Sequence, residues 1–130
     1  MTLFIHLQIK PIAQIQFRNN WVEMMKAEFP EALIFEADSH SEPFVISQGV
    51  SFLKEAEKVV LFLDSDENEK LGACAPLIEK VLRDKTITPF ILIQGEHAMF
   101  EKMAKMMKKE VSSFQSKEES TFQIRDFLNR

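Results

Sequence analysis

KVVLFLDSDENEKLG, residues 58–72, decides how the rest of the chain is read. Five apolar residues, Val59 to Leu63, run without a polar break and stop at Asp64; Asp66, Glu67 and Glu69 follow before Gly72. An apolar run without alternation predicts a strand covered on both faces, as strands of a parallel sheet are. FILI at 90–93 reads the same way. Working outward, the predicted strands are LFIHLQI (3–9), ALIFEA (32–37), KVVLFL (58–63), TPFILIQ (88–94) and a weak VSSFQ (111–115).

Segments of helical period lie between them. The first carries Phe17, Trp21, Met24 and Met25 on one side and ends at Pro30. The second opens at Ser39, with Glu42 at capping-box spacing, and continues through Ile46, Val50 and Leu53. The third runs through Ile78, Val81 and Leu82 to Asp84. The fourth aligns Met99, Met103 and Met106 toward the sheet. The last begins at Ser116, again with capping spacing to Glu119, and turns Ile124, Phe127 and Leu128 inward. Strand–helix alternation repeated five times predicts one α/β domain over 1–130, a three-layer sandwich on a five-stranded parallel sheet. Right-handed crossovers favour a flavodoxin-like order of 2-1-3-4-5, with the weak last strand at an edge.

Composition narrows the function. The chain has 130 residues, 45% hydrophobic and 28% charged, with a net charge of −4. A nucleic-acid binder would carry a basic excess, so nucleic acid is not an expected partner. The single cysteine rules out an internal disulfide and fits a reducing compartment. MTLFIHLQIK carries no basic leader or cleavage site, and no apolar run reaches the ~20 residues that cross a bilayer. The expectation is a soluble cytoplasmic protein without a membrane partner. Three glycines leave few places where backbone could wrap around phosphate.

In a sheet of this kind ligands lie at the carboxyl ends of the strands, where strand order reverses, here between strands 1 and 3. That rim carries Gln8, Lys10, Asp38 to Ser41, Asp64 to Glu67, Gln94 to His97, and Ser116 to Lys117. Gln8, Lys10, Asp38, Asp64 and Asp66 are the candidate ligand-binding residues. Strands 2 and 4 are about 15 Å apart, so His40 and His97 do not share a metal, whereas His97 can reach Asp64 and Asp66. No metal site is assigned. Each rim residue also has an ordinary role as solvated loop residue or helix cap, and that reading is preferred. His6, inside the first strand, reads as a hydrogen-bonded core histidine.

Specific chemistries are mostly excluded. The first turn, QIKPIAQ, has no glycine, so a dinucleotide fingerprint, a phosphate loop and a flavin-phosphate loop are all missing, and no cofactor is expected. Asp64 stands where a phosphoacceptor aspartate would, but strand 1 ends in Gln8 and Lys10 rather than the carboxylates that hold magnesium. Cys74 lies between alanines and reads as a small buried filler rather than a nucleophile. Pro76 either starts the third helix, leaving 64–75 as a long acidic loop, or kinks it.

Residues 52–82, FLKEAEKVVLFLDSDENEKLGACAPLIEKVL, are similar to one segment of the nucleoside 2-deoxyribosyltransferase family and its Toll/interleukin-receptor-like relatives. Those proteins place an I-x-x-A-D-V-V-V strand before an aspartate, then an acidic loop, a glycine, and a helix with a catalytic glutamate. The resemblance implies a glutamate about four residues after Gly72, acting at the anomeric carbon of a ribose. Pro76 occupies that place, Glu79 lies one turn further on, and the expected glycine and tyrosine around the first strand are absent. The resemblance therefore implies a copy that is catalytically impaired or uses another residue.

Two readings follow. The preferred one is a non-catalytic module that binds an unknown protein partner or a second copy of itself. Phe100 and Met107, off the methionine stripe of the fourth helix, are its interface candidates. The alternative is a nucleotide- or nucleoside-binding domain or N-glycosidase-type enzyme with its site at the ends of strands 1 and 3. Asp64 would orient a sugar hydroxyl, Glu67 or Glu79 would give acid–base or nucleophilic help, and His97 would shuttle a proton. A pocket around Asp64 favours the enzyme, and a filled rim with an exposed apolar helix face favours the module.

Overall fold

The computed structural model describes residues 1–130. Five strands form one sheet: β1 (Thr2–Ile9), β2 (Leu33–Asp38), β3 (Lys58–Ser65), β4 (Phe90–Gly95) and β5 (Val111–Ser113). All neighbours pair in parallel, in the order β2-β1-β3-β4-β5, so the fold is the expected flavodoxin-like arrangement. Register aligns Gln8 with both Asp38 and Asp64, and Asp64 with Gln94, along one edge. The continuous apolar runs explain the burial: Val59 to Leu63 of β3 are all fully enclosed, with helices on both faces.

Helices α2 (Pro43–Glu55), α3 (Ala75–Arg83) and α4 (Ala98–Met106) cover one face, over Leu3, Ile5, Leu61 and Ile91. Helices α1 (Asn20–Glu28) and α5 (Lys117–Leu128) cover the other, over Phe4, Val60, Phe62 and Leu92. Alternate residues of each strand thus serve opposite cores. No helix is long and apolar enough to cross a membrane.

Several local expectations need correction. Helix α1 starts after Asn19, whose side chain accepts the Trp21 and Val22 N–H groups; Phe17 precedes it and is 92% exposed. Helix α2 starts at Pro43 without the Ser39–Glu42 capping box, because Ser39 is buried and its hydroxyl donates to the Lys10 carbonyl. In α4 the inward stripe is Phe100, Met103 and Ala104, while Met99 and Met106 are 62% and 69% exposed. Phe100 is fully buried and is not an interface residue; Met107 does reach the surface. Pro76 stands in the first turn of α3 and does not kink it, so the helix starts there as the first alternative had it. The loop is shorter than 64–75, because β3 runs to Ser65 and a 3-10 turn spans Gly72–Cys74. The Ser116 cap of α5 forms as expected, with the Glu119 carboxylate accepting the Gln115 N–H.

Candidate functional site

At the β1–β3 crevice the sheet register puts Gln8 beside Asp64, and Lys10 reaches across to it. The Lys10 Nζ–Asp64 Oδ2 distance is 2.9 Å, with both side chains largely buried. Gln8 faces its own loop instead. Its amide nitrogen donates to the Gln16 carbonyl (2.7 Å) and its oxygen accepts the Gln16 N–H (2.9 Å), closing the stretch after β1 into a ring. One of its two N–H donors and one of its two oxygen lone pairs are thereby committed to that loop, which fixes the amide's orientation.

Neighbouring loops are joined in the same manner. The Ser39 N–H donates to the Gln8 carbonyl (2.9 Å), the Ser39 hydroxyl to the Lys10 carbonyl (3.2 Å), and His40 Nε2 bonds that same carbonyl at 2.8 Å. The Asp66 N–H donates to the Ile9 carbonyl (2.9 Å), and the Ala73 N–H to the Ser39 carbonyl (3.0 Å). At the end of β3, the Ser65 hydroxyl donates to the Glu96 carbonyl (3.0 Å). Two glycines make these contacts possible. Gly72 has φ +55° and a Cβ there would stand 2.4 Å from the Ser39 carbonyl oxygen; Gly95 has φ +87° and a Cβ there would stand 2.3 Å from that of Ser65. Only a residue without Cβ fits either position.

His97 does not join Asp64 and Asp66. It is the N-cap of α4: Nδ1 accepts the Phe100 N–H at 3.1 Å, which leaves the proton on Nε2, donated to the Glu69 carbonyl at 2.7 Å. Asp38 accepts the His40 N–H and Asp66 accepts the Asn68 N–H, each through Oδ1 in a local turn. Glu67 and Glu79 are exposed, and neither makes a hydrogen bond or ion pair with Asp64. No three His, Cys, Asp or Glu side chains converge in a metal-binding arrangement. The structure therefore gathers Gln8, Lys10, Asp38 and Asp64 at one edge and leaves Glu67, Glu79 and His97 outside that group.

Two buried groups lie below the rim. Burial pushes the Cys74 thiol up to about 12, and the Asp38 carboxylate adds to the shift, so it stays protonated and serves as core. His6 is buried as expected but is not hydrogen-bonded: neither ring nitrogen has a partner. Its ring stacks at 5.1 Å from Phe62 and 5.4 Å from Trp21. Burial, with a smaller contribution from Lys10, pushes its pKa down to about 3.

The cavities follow from this. None of the five main depressions is lined by Asp64. The one nearest the crevice, between Gln8, Phe17, Asp38 and Ser41, holds about 180 Å³, below the ~300 Å³ at which ligand pockets begin. The sequence places Ser39 and Ser65 on the rim without showing that they hold it together, and Gln16 is not legible there at all. The only signal for these contacts was two of the three glycines, Gly95 closing β4 and Gly72 just ahead of α3. No family model matches the chain, and no curated protein or solved structure matches it.

Proposed function

We propose that this chain is a non-catalytic interaction module whose partner is another protein or a second copy of itself. The observation that carries the reading is the closed carboxyl rim. Asp64 is taken up by Lys10, Gln8 by Gln16, and His97 by Phe100 and Glu69, while Glu67 and Glu79, the other acid–base candidates, are exposed and stand apart from Asp64. General acid–base catalysis needs a group within hydrogen-bond reach of a bound substrate, and the depression nearest the crevice, about 180 Å³, is small for one. Exposed Phe17, Phe44 and Phe122 lend the surface contact residues of the kind interfaces use. Pro76, in the first turn of α3, gives no carboxylate for the ribose chemistry that the deoxyribosyltransferase resemblance would require.

Thermal unfolding against nucleotides, nucleosides and divalent metals tests this. A native-state ligand at a hundred times its Kd adds about 2.7 kcal/mol, which raises the melting temperature of a domain this size by several degrees. The expected response is flat across the panel. A rise with any nucleotide or nucleoside, abolished in Asp64→Ala, would establish the enzyme or ligand-binding alternative instead.

A further inference from the structure

Three depressions join end to end along the face formed by α2, α3 and α4. A groove of about 570 Å³ between α2 and α3 is floored by Ile46, Val50, Ala73 and Pro76 and bounded by Lys54. A second, of about 290 Å³, shares Val50 and Lys54 with it and adds Leu53, Lys80, Arg83 and Asp84. A third, of about 480 Å³, shares Arg83 and Asp84 and adds Lys85, Met107 and Lys109.

The character of this channel changes along its length. Its upper end is apolar, and the hydroxyls of Ser47 and Ser51 there donate back to the Pro43 and Ser47 carbonyls. At its lower end Lys54, Lys80, Arg83, Lys85 and Lys109 face a single carboxylate, Asp84, in a chain of net charge −4. None of the five cations forms an ion pair; those of the chain use Met1, Lys10, Lys26, Arg125 and Arg130. Asp84 turns its carboxylate to the Thr86 N–H and hydroxyl. Glu55, Glu79 and Glu110 adjoin three of these cations in sequence but do not line the channel. Cations in the last turns of α2 and α3 offset the helix dipoles, but two helix ends supply only about one negative charge between them. A positive excess remains.

We propose that this channel docks an acidic amphipathic helical segment of a partner protein, its apolar side chains in the α2–α3 groove and its carboxylates over Lys54, Lys80 and Arg83. Helix α2, 13 residues, offers about 20 Å of groove, matching a partner helix of three to four turns. A small anion would use the cations but leave the apolar floor uncovered. The inference rests on the interaction-module reading and names its partner class.

The test selects peptides of about 16 residues from a random library against the full chain, then measures the affinity of enriched sequences by fluorescence anisotropy. Enriched peptides are expected to carry apolar residues three or four apart and a net negative charge, and to bind more weakly as salt rises. The double variant Lys54→Glu/Lys80→Glu lowers affinity about tenfold or more, and Lys102→Glu/Lys105→Glu, outside the channel, leaves it within about twofold. Enrichment of basic or neutral peptides, no enrichment, or indifference to the Lys54/Lys80 reversal overturns the proposal. Stabilisation by millimolar inorganic phosphate that disappears in the same reversal, without acidic-peptide binding, marks an anion site and also overturns it. Any of these with a flat nucleotide panel leaves the module reading intact, whereas stabilisation by a nucleotide through Asp64 removes that reading itself.

Discussion

His6 is the least accommodated residue in the protein, because an imidazole with two unpartnered nitrogens occupies a core of stacked rings. Its folded pKa, about 3, lies below the ordinary 6.5, so the unfolded chain binds more protons between those values. Stability attributable to His6 is therefore complete above pH 6.5 and is lost as pH falls toward 3. Between pH 7.5 and pH 5 the loss is about 2 kcal/mol. Urea unfolding of His6→Leu at the two pH values should show that part of the acid sensitivity removed; an unchanged difference would mean that His6 is not its source. The Lys10–Asp64 pair makes a second prediction. Asp64→Ala leaves Lys10 without its counter-charge in a largely buried setting and should lower stability by about 1–3 kcal/mol, with fold and oligomeric state unchanged. Adding Lys10→Met should recover part of that loss in a double-mutant cycle, and strict additivity would show that the two side chains do not interact.

The strands were legible because their apolar runs are long and uninterrupted; the helix faces were less so. In α4 the residues MFEKMAKM present two overlapping stripes, one through Met99, Met103 and Met106 and one through Phe100, Met103 and Ala104. The bulkier aromatic ring takes the core, a choice that spacing alone does not make. At α2 the Ser39–Glu42 spacing pointed to a cap, but Ser39 is held by β1 instead, through the Gln8 and Lys10 carbonyls some 30 residues earlier. Long-range bonds of this kind leave no local signature, apart from the glycines they require. Gly72→Ala should therefore cost about 1–3 kcal/mol, since the new methyl meets the Ser39 carbonyl and the backbone is left-handed there. A loss below about 0.5 kcal/mol, the size of a neutral surface change, would show that this contact does not hold the rim. His97→Ala should remove the α4 cap and the hold on Glu69 together, costing about 1–2 kcal/mol and speeding amide exchange across 66–71; slow exchange there would mean that the loop is fixed by other contacts.

The parallel sheet and its two covered faces followed from one inference, that runs covered on two sides belong to a parallel sheet, and the strand order from right-handed crossovers. The location of the rim followed from the same inference, and Gln8, Lys10, Asp38 and Asp64 are adjacent as the topology requires. What the pattern could not convey was whether that edge is open or closed, because closure depends on carbonyls and amides that every residue carries. At Ser39, Asp66 and Ala73 these backbone groups are bonded within the protein, which closes the rim beside Asp64. Native-state amide hydrogen exchange tests this directly at Ser39, Asp66 and Ala73, whose N–H groups close the rim. Their protection is predicted to approach that of the β1 and β3 core amides. Exchange at the rate of unprotected loop amides, with the strand cores still protected, would contradict it and show an edge free to receive a ligand.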